Sequence, residues 1–125
     1  YANPYRFLSF ARLLANDHAG YLDALETRFR LRNDTAGLTV VRQGRAGLAA
    51  SGRDGMAAAM LAAVRSDADR DALEPYFAAH VFALAGECAV AVERLNAVAT
   101  RHAFYRAIDP VFAPSGFPGC DAAAG

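Results

Sequence analysis

The sequence predicts a predominantly helical α+β fold, in which three or four helices pack with a small antiparallel β-hairpin; an all-α bundle is the alternative. Three observations lead there. Apolar residues recur at helical spacing near both ends of the chain. Alanine, the strongest helix former, supplies much of a 54% hydrophobic content. Between the helical stretches, two short segments with strand character flank a turn cluster.

The first helix opens at Asn3-Pro4, a capping residue followed by one preorganised for the first turn. Its apolar stripe runs through Phe7, Phe10, Ala11, Leu14, His18, Tyr21, Leu22 and Leu25. The cluster at residues 16–20 weakens the middle, as a kink or as a break in which Asp17 caps a second helix.

Residues 28–32 alternate Arg-Phe-Arg-Leu-Arg, the strand period, although Glu26 and Arg30 have the i,i+4 spacing of a helix. Residues 33–37 read as a turn and residues 38–42, rich in β-branched side chains, as the return strand. The glycine-rich residues 43–55 read as a loop, or as a loop holding a short third strand at 47–51.

Asp54 opens a helix to about Val64, and residues 66–69 cap the next one. Pro75 restarts or kinks that helix, whose stripe of Phe77, Val81, Leu84, Cys88, Val92, Leu95 and Ala99 extends to Ile108 before Pro110. The rival reading breaks it at Gly86 and makes residues 87–93 a strand. The expected core is Phe7, Phe10, Leu14, Leu25, Phe77, Val81, Leu84, Cys88, Val92 and Leu95, completed by Met56, Met60 and Val64. The periodicity shows neither a solenoid repeat nor a sustained heptad.

The chain of 125 residues is expected to form a single domain with a loose C-terminal tail from about residue 111. No apolar run reaches the roughly 18 residues of a membrane span. A cytoplasmic location is expected, and a start at Tyr1 is compatible with removal of an N-terminal targeting segment. Cys88 and Cys120 form neither a disulfide framework nor a zinc site; reduced thiols are the expectation, with one bridge as the alternative. All 13 basic residues are Arg, balanced by 13 acids. Residues 1–53 carry eight Arg against four acids, a net +4, and residues 54–125 five against nine, a net −4. Such a dipole favours self-association or an oriented partner.

Little in the motifs points to catalysis. There is no nucleophile elbow, P-loop or zincin signature, and no histidine pair at metal-ligand spacing. No catalytic residue, metal or cofactor is therefore assigned. The leading expectation is a non-enzymatic interaction module, an adaptor, accessory or regulatory domain with a protein partner or a second copy. A small-ligand or cofactor-binding domain is the alternative, with His18, Tyr21, His80 and Glu87 lining a pocket between the first and last helices. Nucleic-acid binding ranks third. Arg28, Arg30, Arg32 and Arg45 would then follow phosphates from one face of the hairpin, against the neutral total charge.

Overall fold

The computed structural model describes residues 3–66 and 73–96, and among them it contains five helices and no strand. The chain divides into two compact units, Tyr1–Ala72 and Leu73–Gly125. The first holds α1 (Asn3–Leu14), α2 (His18–Leu31) and α3 (Thr35–Val64); the second holds α4 (Pro75–Leu84) and α5 (Cys88–Asn96).

The fold is thus all-α, and the expected hairpin is corrected. Residues 28–32 close α2 and residues 38–42 lie within α3. The Arg-Phe-Arg-Leu-Arg alternation does not mark two faces of a strand: Arg28 and Phe29 are both buried, and Leu31 points to solvent. In α2 the buried set Tyr21, Leu22, Ala24, Leu25, Arg28 and Phe29 has the helical spacing instead. In α3 the buried Ala36, Gly37, Val40, Val41 and Gly44 do the same, so packing overrides the β preference of Val40 and Val41.

The turn cluster at 33–37 is a corner between helices. Asn33 sits in the left-handed region, at φ 53°. The Asp34 N–H donates to the Phe29 carbonyl at 2.9 Å and the Asn33 N–H to the Arg30 carbonyl at 3.1 Å, which is the Schellman closure of α2. Asp34 then caps α3, its Oδ1 accepting from the Gly37 N–H at 2.9 Å. The same corner stands at residues 16–20. Asn16 has φ 59°, the Asp17 N–H donates to the Arg12 carbonyl at 2.9 Å, and Asp17 Oδ1 accepts from the Gly20 N–H at 2.9 Å. The break with Asp17 as cap, rather than a kink, is therefore what the chain adopts.

A third copy of the corner joins α4 to α5. Gly86 takes φ 87°, and the Glu87 N–H donates to the Phe82 carbonyl at 2.9 Å. The helix from Pro75 thus breaks at Gly86, and residues 88–96 continue as helix rather than strand. The motif Leu-x-Asn-Asp-x-Ala-Gly recurs at Leu14 and Leu31, and Leu84 opens a variant with Gly86-Glu87. This recurrence is too short for a solenoid period.

Glycines that read as a loop at 43–55 are inside α3, which bends at Ser51 and Gly52. Gly52 has φ 68° and ψ −152°, a conformation essentially reserved for glycine. The two arms fold back on each other: Gly44 meets the Met60 side chain, and a Cβ on Gly47 would overlap the Gly55 carbonyl. Only bare Cα atoms permit that approach. α2 packs on both α1 and α3. Tyr21, Leu22, Phe29, Val40, Val41, Met56 and Met60 are fully buried in this unit. Each contributes roughly 1.5–3 kcal/mol of hydrophobic stabilisation.

In the second unit every residue from Tyr76 to Leu84 is buried. The Arg94 guanidinium of α5 lies 4.6 Å from the Phe82 ring centroid of α4. Cys88 is buried, as expected, but it is disulfide-bonded rather than reduced. Cys120, the chain's other cysteine, lies outside the described residues, as do the expected cap at 67–69, the helix beyond 96 and the tail from 111.

Candidate functional site

α1 carries apolar side chains on two sides and buries only one of them. Pro4 stands in its first turn, where a missing N–H costs nothing. The inward face is Arg6, Ser9, Phe10 and Leu13, all buried. Ser9 Oγ donates to the Arg6 carbonyl at 2.6 Å, which satisfies its hydroxyl. The outward face is Pro4, Phe7, Leu8, Ala11, Leu14 and, in the following turn, Ala15. Phe7 is 41% exposed, Leu8 39% and Leu14 67%.

Two members of the expected core, Phe7 and Leu14, therefore face solvent. The stripe Phe7–Ala11–Leu14 is continuous on the helix surface, but α1 is rotated so that α2 covers the Phe10–Leu13 side. The sequence signal for this was available. Residues 7, 8, 10, 11, 13, 14 and 15 are all apolar, which is more than a single buried stripe accommodates.

A groove of about 340 Å³ runs beside this face, between α1 and α2, lined by Tyr5, Leu8, Arg12, Asp17, Asp23 and Thr27 among others. Its charges are engaged with one another. Arg12 pairs with Asp17 at 3.3 Å, and Arg45 Nη2 donates to Asp23 Oδ1 at 2.7 Å.

The residues expected to bind a ligand fall into separate units, His18 and Tyr21 in the first, His80 and Glu87 in the second. Tyr21 is 0% exposed and His80 2%, with the His80 ring stacked on Phe77 at 6.1 Å between centroids. Glu87 occupies the α4–α5 corner, its backbone carbonyl accepting from the Ala91 N–H. Among the described residues, no group of three or more His, Cys, Asp or Glu is placed to hold a metal.

His18, the first residue of α2, is half-buried, and its Nε2 has no hydrogen-bond partner among the described residues. Burial holds its pKa below the ordinary 6.5; the Arg53 charge lowers it further, and Asp17 opposes both. A proton on His18 is thus disfavoured in the fold. Below pH 6.5 the unfolded chain takes up a proton that the folded chain refuses until its own lower pKa is reached. The contribution is present above pH 6.5 and lost as the pH falls through that window. Urea titrations from pH 7 to pH 5 are expected to show wild type losing more stability than His18→Gln; parallel curves would refute the assignment.

The arginines expected to face phosphates no longer share a sheet face. Arg28 is 2% exposed, its guanidinium 5.2 Å from the Phe29 ring centroid. Arg30 pairs with Glu26 at 3.1 Å, Arg45 bridges Asp23 and Glu26, and Arg32 is exposed at the α2–α3 corner. Divided at the unit boundary, the chain's charge asymmetry shrinks to ten Arg against eight acids (net +2) and three against five (net −2). No helix among the described residues is long and apolar enough to cross a membrane. No protein-family model, curated protein or solved structure matches the chain.

Proposed function

We propose that the chain is a non-enzymatic protein-interaction module that docks through the outward face of α1. The observation that carries this reading is the inversion of α1: Arg6 and Ser9 are buried while Phe7, Leu8 and Leu14 face solvent. Scattered exposed apolar residues are ordinary, but a contiguous apolar helix face marks an interaction site. The small-ligand reading has less support, because Tyr21 and His80 are closed to solvent. The nucleic-acid reading has less as well, because Arg30 and Arg45 are committed to carboxylates. The disulfide at Cys88 favours an oxidising compartment over the cytoplasm as the place of action.

The test is differential capture from an extract of the source cells. Immobilised wild type is expected to retain a partner that the Phe7→Ser/Leu14→Ser variant loses by about tenfold or more. Equal retention by the two, or no specific retention by either, contradicts the reading.

A further inference from the structure

We infer that the bend in α3 is a hinge through which two copies of this chain exchange arms, giving a domain-swapped dimer in which residues 53–64 of each copy pack on residues 35–50 of the other. The link between the arms is very short. It consists of Ser51 (φ −147°, ψ 22°) and Gly52 (φ 68°, ψ −152°), with helical backbone on both sides. Short links of this kind between packed elements favour exchange. Turning these two residues helical makes one continuous helix of about 45 Å.

The source of the bent form's stability points to a second copy. Both hinge residues are exposed, and a Cβ built on Gly52 would meet nothing within 4 Å. Straightening therefore breaks no packing at the hinge itself. Contact between the arms holds the bend: Gly44 lies against Met60, and Gly47 against Gly55 and Ala59. The second arm also buries Met56, Ala57, Leu61 and Val64. Such an apolar face does not stay open to water. Another copy, opened in the same way, presents the matching surface with the same bare Cα atoms at 44, 47 and 55. Exchange re-forms every contact the arm has made, so its cost is confined to the hinge backbone and the lost tether.

Gly52 keeps the single copy bent for two reasons. Its φ/ψ pair is open essentially to glycine alone, and glycine is a poor residue in a continuous helix. Alanine reverses both preferences, which shifts each hinge toward the straight form by about thirtyfold or more. A dimer has two hinges, so Gly52→Ala tightens it by about a thousandfold. The tether gives the wild-type arm an effective concentration on the order of millimolar, which sets the wild-type Kd near that value. The exchange does not use the outward face of α1, and its failure leaves the docking reading untouched.

Sedimentation velocity after refolding from urea tests the exchange. Wild type refolded at about 10 μM is expected to be monomeric, and Gly52→Ala at the same concentration dimeric. Wild type refolded at about 1 mM is expected to yield a dimer fraction that survives dilution for about an hour or more, because the arms must open before they part. Inserting Gly-Ser-Gly after position 52 in the Gly52→Ala chain frees the bend and is expected to restore the monomer. A folded Gly52→Ala that stays monomeric at about 1 mM, or a dimer that persists with the insertion, overturns the inference. Should Gly52→Ala fail to fold, wild type decides alone. Refolding at about 1 mM to monomer only, or to a dimer that falls apart within about a minute of dilution, then overturns it.

Discussion

Phe29→Ala is expected to lower folding stability by about 3–5 kcal/mol, the cost of removing a fully buried aromatic ring and leaving a cavity. Phe29 is 0% exposed and sits near the end of α2, where its ring lies on Gly37 in the first turn of α3. A Cβ on Gly37 would stand 2.7 Å from Cγ of that ring. The bare glycine and the ring are therefore one packing unit, which holds the α2–α3 corner shut. Gly37→Ala alone forces the ring to move and destabilises. In the Phe29→Ala background the obstruction is gone, and the same substitution adds helix propensity of up to about 1 kcal/mol. Gly37→Ala should thus change sign between the two backgrounds in a double-mutant cycle read by urea unfolding. Additive effects would mean that the ring does not rest on Gly37.

Gly47→Val is expected to cost about 3 kcal/mol or more, at the upper end for overpacking. A Cβ there would overlap the carbonyl of Gly55, and backbone cannot swing aside as the end of a side chain can. The two arms of α3 would separate, and Gly44 would be drawn away from Met60 and Leu22. On propensity alone the sign reverses: valine replaces a glycine within a helix and should be neutral or mildly stabilising. Urea unfolding of this single variant separates the two accounts.

The corners show why only part of this fold was legible. Asn-Asp-x-Ala-Gly at 16–20 reads as a helix break, and the same pattern at 33–37 reads as a hairpin turn, because asparagine, aspartate and glycine serve both purposes. What separates them is the flanking period. At 28–32 the apparent alternation arises because Leu31 is exposed and Arg28 is buried, a distribution that burial statistics disfavour. The glycines of 43–55 read as a loop since each costs a helix about 1 kcal/mol. The compensation is long-range contact between Gly47 and Gly55 and between Gly44 and Met60, which no local window contains. The α1 face was visible as an apolar stripe. Periodicity locates such a stripe but does not say whether the chain itself or another molecule covers it, and here α2 takes the opposite side.

The orientation of α1 is what the functional account depends on, and the unfolding free energy of Phe7→Ser/Leu14→Ser tests it most directly. With Phe7 41% and Leu14 67% exposed, the double variant is expected to remain folded and to lose about 1–3 kcal/mol, part of it from the edge-on contact of Phe7 with the Phe10 ring. The matching inward variant, Phe10→Ser/Leu13→Ser, is expected to lose several kcal/mol, because Phe10 is 7% exposed and Leu13 2%. A loss in Phe7→Ser/Leu14→Ser as large as that of the inward variant, at concentrations where the chain is monomeric, would place that stripe in the core and contradict this orientation.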